Sequence, residues 1–343
     1  MKKWILIAFL FLKGFNLIAQ QKPWYSQYIL NDFILNPALA GIENYWDIKG
    51  SYRNQWLGLS GAPVTMYITA QGPLGNTEIE NETSTTVHPN FNPRGYDYWR
   101  NYSVSPSHGG IGFTVINDLA GPIRNFSAKL TYAYHIKLSS GTAISLGISG
   151  GIQEVSLNSQ NLYFGIQYPI DPSVYGNGNL NKIKPDLDAG LWYYSGKYFL
   201  GISAQELIPQ SLYFGGQNSA LSTLSQGQLI PHIFLQGGYK VYLNEDLYLL
   251  PSMTLKLISP NPLGIDFNLK AQYHDYLWFG GSVRNQQEYA LMAGFNTNNG
   301  LNIGYSYDFG TSPLYTVNKG THEILIGILL RNRLKDRCPR NLW

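Results

Sequence analysis

Residues 124–153 read RNFSAKLTYAYHIKLSSGTAISLGISGGIQ, and their alternation decides the fold. Phe126, Ala128, Leu130, Tyr132, Tyr134, Ile136 and Leu138 take every second place, with Asn125, Ser127, Lys129, Thr131, Ala133, His135 and Lys137 between them. After Ser139, Ser140 and Gly141 the period returns. Ile144, Leu146, Ile148, Gly150 and Ile152 alternate with Ala143, Ser145, Gly147, Ser149, Gly151 and Gln153. Successive side chains of a strand point to opposite faces, so this period gives each strand one greasy and one wet face. The Ser-Ser-Gly turn makes the pair a hairpin. Both strands exceed the roughly 5 or 6 residues usual in soluble sheets and reach the roughly 9 to 11 that cross a bilayer at a tilt.

Working outward, the same period recurs in fourteen segments, from Tyr45 to Arg53 and Val64 to Gln71 through to Leu301 to Phe309 and Thr321 to Arg331. Their connections differ by parity. Short turns follow most even-numbered segments: Ser139 to Gly141, Ser195 to Lys197, Asn244 to Asp246, His274-Asp275 and Asn296 to Gly300. Long Gly, Asn, Pro and Ser-rich stretches follow odd ones: Glu154 to Pro185, Gln205 to Ile230 and Gly310 to Gly320. Outer-membrane barrels have this asymmetry, with short periplasmic turns and long outer loops. Tyr132, Tyr134, Tyr194, Tyr198, Tyr242, Tyr248, Tyr273 and Tyr276 bracket the short turns, which suits an aromatic girdle at headgroup level. Alternation alone leaves open which face looks outward, since a soluble sandwich would bury the same apolar rows. Strand length, loop parity, the girdle and an export signal together predict an all-β, transmembrane, antiparallel up-and-down barrel of about fourteen strands.

The export signal lies at the start. Met1, Lys2 and Lys3 form a positive region, Trp4 to Leu12 a short apolar core, and Leu17-Ile18-Ala19 a small-residue cleavage site, so 1–19 is expected to be a signal peptide and Gln20 the mature start. The greasy run is too short for an anchor and Lys13 interrupts it. Only 13% of the residues are charged, against about a quarter in ordinary soluble domains, and the net charge of +3 is scattered, which argues against nucleic acid as a partner. In 20–44, Trp24, Tyr25, Tyr28, Ile29 and Phe33 recur at spacings of three and four, which predicts a short helix ended by Asn36-Pro37, docked by ordinary packing or as a plug at the barrel mouth. The barrel is assigned to 45–331 and a C-terminal tail to 332–343. One connection breaks the parity: 73–108 follows an even strand yet is long and polar, and its scarce alternation favours a periplasmic insertion over two missed strands.

Nothing in the chain carries catalytic chemistry. Gly147-Ile148-Ser149-Gly150-Gly151 fits the G-x-S-x-G pattern but lies mid-strand, not at a strand-to-helix turn. The six histidines show no metal spacing and Cys338 is the single cysteine, so no cofactor, metal or internal disulfide is expected. The wet face of the strands places Asp47, Lys49, Arg53, Lys129, His135, Lys137, Asp186, Asp188, Lys240, Lys256, Asp266, Lys270, Arg284 and Asp308 toward the lumen. Their mixed signs suit a solvated or plugged interior network, not a selectivity ring of one sign.

Several blocks together resemble the PorP/SprF family, outer-membrane components associated with the type IX secretion system of Bacteroidota. They are Ser26-Gln27-Tyr28, Leu35-Asn36-Pro37-Ala38, Ala40-Gly41, Tyr52-Arg53-Asn54-Gln55-Trp56 and Gly61-Ala62-Pro63, then Ile116-Asn117-Asp118 with Gly121-Pro122, Tyr132-Ala133-Tyr134-His135, Pro185-Asp186 with Gly190 and Tyr193-Tyr194, Gly201-Ile202-Ser203, and Arg337-Cys338-Pro339-Arg340. The segment 73–108 departs from the family pattern, which has a short turn there. The resemblance implies a non-enzymatic outer-membrane barrel of the secretion and gliding machinery. Its implied partners are periplasmic components of that system and a secreted, adhesin-like protein with a C-terminal sorting domain. Candidate partner-binding residues are Gln27, Tyr28, Asn36 and Pro37 in the N-terminal segment and Arg337, Cys338, Pro339 and Arg340 in the basic tail, which is equally readable as a solvated end. The competing expectation is an outer-membrane channel for small solutes, since fourteen strands enclose a cavity.

Overall fold

Leu130 and Lys129 settle which face looks outward. In a computed structural model of the chain, Leu130 is 69% exposed and its neighbour Lys129 only 5%. The same inversion runs around the molecule: Ile68, Ile148, Leu200, Phe267, Phe279 and Leu291 stand on the outside, while Thr69, Ser149, Ser203, Asn268 and Ser282 are buried. A continuous apolar belt of this kind is far larger than soluble monomers expose, and hydrocarbon is the solvent that suits it.

The structure describes residues 25–75, 104–158, 179–208, 210–211, 228–244, 246–258, 262–274, 276–285, 288–297, 300–311 and 313–330. Fourteen strands form the wall: β1 Trp46–Asn54, β2 Val64–Pro73, β3 His108–Ala120, β4 Ile123–Lys137, β5 Thr142–Asn158, β6 Asn179–Ser195, β7 Tyr198–Gln205, β8 His232–Tyr239 continued by Val241–Tyr242, β9 Leu247–Leu257, β10 Gly264–Tyr273, β11 Leu277–Arg284, β12 Glu288–Asn296, β13 Leu301–Gly310 and β14 Thr321–Leu330. Each strand pairs antiparallel with the next. The sheet closes where Trp46 faces Leu330 and Asn54 faces His322. Closure leaves no unpaired edge in the bilayer, the condition a spanning sheet must meet. A two-residue ladder, Gln210–Ser211 with Gln228–Leu229, lies in the β7–β8 connection.

The structure corrects several expectations. The stretch from Glu154 to Pro185 is not all loop, because β5 continues to Asn158 and β6 begins at Asn179. Past the hydrocarbon zone the outer face meets polar surroundings, so Glu154 points outward and Val155 inward, and the alternation inverts there. Parity of the connections is looser than expected, since Gly121 and Pro122 alone join β3 to β4. Tyr194 and Tyr248 are not girdle residues: they are 1% and 4% exposed and face the lumen, while Tyr132, Tyr134, Tyr273 and Tyr276 stay outside. Lys137, at the rim, is exposed and not in the lumen. β2 pairs directly with β3, from Val64 facing Leu119 to Pro73 facing Gly110, so no strand intervenes between them. The insertion's residues 76–103, the expected signal peptide and the tail from 331 onward lie outside the described residues.

Candidate functional site: the filled lumen

Tyr25–Tyr45 lies inside the barrel. The expected short helix is three 3-10 turns, Gln27–Leu30, Asp32–Ile34 and Pro37–Leu39. Non-helical backbone at Asn31 and extended backbone at Asn36 interrupt them. An amphipathic helix needs one solvated face, whereas this segment has wall on all sides and is buried almost throughout.

Polar groups of the wall hold its backbone and its polar side chains. Ser26 N donates to Glu323 Oε2 at 2.8 Å, and Gln27 Nε2 donates to the Glu323 carbonyl at 2.8 Å. Ser26 Oγ donates to Asp308. Further along, Asn268 Nδ2 donates to the Tyr28 hydroxyl at 2.6 Å, Asn31 Nδ2 to Thr69 Oγ1 at 3.0 Å, and Gln236 Nε2 to Asp32 Oδ1 at 2.7 Å. Ser203 Oγ and Gln205 Nε2 donate to the Leu35 carbonyl at 2.7 and 3.0 Å. Asn36 Nδ2 donates to the carbonyls of Leu191 and Ile202, both at 3.2 Å, and Asn36 Oδ1 accepts from Ala38 N. Ser145 Oγ donates to the Ala38 carbonyl at 2.6 Å.

Two histidines grip the last turn. His108 and His135 face each other across the β3–β4 ladder with rings stacked at 4.7 Å. Their Nε2 atoms donate to the consecutive carbonyls of Gly41 and Ala40, each at 2.9 Å. These bonds satisfy backbone groups that no secondary structure pairs, as burial demands.

The wall also makes room. A Cβ on Gly147 would lie 2.4 Å from the Ala38 nitrogen, and one on Gly190 would lie 2.0 Å from Asn36 Oδ1. Two voids lined by described residues of the segment and the wall measure about 10 and 20 Å³, each the size of a single water.

The family model for "Type IX secretion system membrane protein PorP/SprF" matches residues 17–328. The chain belongs to the PorP/SprF family. It is an outer-membrane β-barrel, its apolar belt facing lipid. None of the curated proteins matches it. Among solved structures, it is similar to the Ralstonia pickettii toluene transporter TbuX (9% identity, 87% of this chain and 92% of that one, TM-score 0.47), a Pseudomonas aeruginosa FadL homologue (10%, 91% and 94%, 0.45) and the Acinetobacter baumannii outer membrane protein Omp33 (6%, 85% and 99%, 0.45).

In this PorP/SprF barrel, Gln27, Tyr28, Asn36 and Pro37 are all buried in the lumen against the chain's own wall. Arg337, Cys338, Pro339 and Arg340 lie outside the described residues. The inward charges fall into local groups. Arg53 reaches Asp308 at 3.0 Å and Glu323 at 3.6 Å; Lys129 reaches Asp186 at 2.5 Å and Asp188 at 2.7 Å. Lys49 pairs with Asp47 at 2.7 Å, and Arg284 with Asp266 at 3.4 Å and Glu288 at 3.2 Å. Lys270 lines the smaller void with Asp32 and Gln236. The Lys240 ammonium lies 3.7 Å from the Tyr248 ring centroid, and Lys256 lies over Phe234. His135 serves the lumen segment and not a charge group.

Sequence reasoning missed Glu323, Ser145, Ser203, Gln205 and Gln236, which do much of the holding. Glu323 was hidden because the inward row of β14 turns apolar at Leu325, which packs with Tyr25, Tyr28 and Ile29 of the lumen segment, and at Leu329. The glycines at 147 and 190 were a signal for clearance. Ser149, the serine of the G-x-S-x-G match, shares a 2.7 Å hydrogen bond with Thr131 on a regular strand.

Proposed function

We propose that this barrel is a non-enzymatic anchor and export partner for one secreted surface protein, acting through its rims and not through a pore. The observation that carries this reading is the filled lumen: Tyr25–Tyr45 is bonded to wall residues from β2 round to β14. A wall that spends its buried polar groups on its own chain leaves the two mouths as the surfaces open to partners. Membership in a secretion-system family supports periplasmic machinery on one side and an exported, adhesin-like protein with a C-terminal sorting domain on the other. The channel alternative requires a continuous water path through the lumen, along which Tyr25–Tyr45 lies buried almost throughout.

Deleting the gene tests the reading. Surface display of one secreted protein is expected to be lost while others persist; unchanged display of every such protein contradicts it.

A further inference from the structure

Two pieces of chain meet at the mouth with the tight turns, which in outer-membrane barrels faces the periplasm. One is residues 104–107, just before β3. Val104 N donates to the Ser140 carbonyl of the β4–β5 turn at 2.8 Å, and its side chain is buried in the core formed with Ala38, Leu39 and Ala40. Lys137 N donates to Ser107 Oγ at 3.0 Å. The other piece is the end of the lumen segment at Gly41, whose backbone has φ +75° and wedges between β2 and β3. A Cβ there would lie 2.5 Å from Gly110 Cα and 2.9 Å from the Gly72 carbonyl oxygen. Gly41 N donates to Gln71 Oε1 at 3.2 Å.

A single side chain joins the two. His108 sets Nε2 2.9 Å from the Gly41 carbonyl and Nδ1 2.7 Å from the Pro106 carbonyl. Carbonyl oxygens only accept, so each ring nitrogen has to bring a hydrogen, and imidazole carries one on both nitrogens only as the cation. His135, stacked on this ring at 4.7 Å, is placed differently. Its Nε2 donates to the Ala40 carbonyl, while its Nδ1 lies 3.1 Å from the Tyr194 hydroxyl, which is able to donate. The neutral form of His135 therefore satisfies both its partners. Two rings this close disfavour a charge on both, and the bonding assigns the one charge to His108.

Other ionisable groups stand close in the fold. Tyr194 on β6 is bonded to His135, Tyr132 on β4 lies against Gly109, Lys137 is exposed at the rim, and Glu43, two residues past Gly41, is buried. None of these is bonded to the His108 ring, whose two nitrogens are taken by the carbonyls.

From this geometry we infer that His108 is a proton-operated clasp between residues 104–107 and the end of the lumen segment. Protonated, the ring binds both carbonyls; neutral, it holds only one. The clasp is thus complete on the acid side of the range in which imidazole titrates, about pH 5 to 8, and is one bond poorer above it. Because the closed clasp binds the extra proton, acid favours it and a rise in pH loosens this mouth. The rest of the segment keeps its bonds to the wall, so the change is local.

Hydrogen–deuterium exchange read by mass spectrometry tests the clasp on the whole folded protein in detergent micelles. Measured at about pH 5 and pH 8 and corrected for the intrinsic exchange rate, peptides covering 38–45 and 104–108 should exchange severalfold faster at the higher pH, while those of the β10–β11 ladder should not. His108→Gln, which keeps a donor but has no proton to lose, should abolish the difference. If that variant does not fold, His108→Lys replaces it: its charge is fixed over this range, and the slow exchange should persist at both pH values. Equal corrected exchange at the two pH values in the unaltered protein overturns the inference, as does a difference that survives in the variant. Neither readout involves an exported partner, so a failure here is distinguishable from a failure of the anchoring role.

Discussion

Gly147 on β5 and Gly190 on β6 are register partners; the Pro37–Ala38 backbone occupies the space a side chain would take at Gly147, and the Asn36 and Pro37 side chains occupy it at Gly190. The pair is thus a saddle in the wall, and the segment seated there is locked by Asn36 to the carbonyls of Leu191 and Ile202. Gly147→Leu would drive a side chain into backbone atoms of Pro37 and Ala38, which have nowhere to retreat. The expected cost is about 3 kcal/mol or more, typical of severe overpacking. Heat modifiability on gels reads it directly: the purified variant should unfold roughly 5 to 10 °C below the parent. An unchanged transition would mean that the segment does not sit on this saddle.

Glu323 is the anchor at the start of the segment. Its carboxylate accepts from Ser26 N and Ser51 Oγ and faces Arg53, all out of solvent. Removing one member of such a buried group strands the others, at about 3–5 kcal/mol. Glu323→Ala should therefore lower the unfolding temperature clearly, whereas Lys137→Ala, at the exposed rim, should leave it within error. Equal effects of the two substitutions would contradict the assigned interior network.

The lipid face makes a prediction of its own. Leu130, opposite Gly150 in the β4–β5 ladder, stands in the apolar belt. Leu130→Arg should cost about 2–4 kcal/mol of folding free energy in bilayers if it lies near the midplane. The check is equilibrium folding into phosphatidylcholine vesicles. Tolerance of the arginine would point to a soluble surface.

What could be read from the sequence follows from what the residues face. β4 was legible because Leu130, Tyr132 and Tyr134 meet lipid while Lys129, Thr131 and His135 meet polar interior, so solvent sorts them by parity. β5 beyond Gln153 was not, since no hydrocarbon lies outside Glu154 to enforce the period. Tyr194 and Tyr248 misled because an aromatic ring suits both a headgroup layer and a filled lumen. The lumen segment was the least legible part. Its spacing of three and four comes from 3-10 turns, and with wall around it there is no apolar stripe from which to tell its neighbours. The inward serines and glutamines that bind it look, in sequence, like any wet face.

The central claim is that the lumen is occupied by the chain's own Tyr25–Tyr45. Single-protein conductance in planar lipid bilayers tests it most directly. The account predicts that the purified, folded chain inserts without a steady current above that of the bare membrane, and that Gly147→Leu, by unseating the segment, raises conductance. A stable open-channel current from the unaltered protein would contradict it.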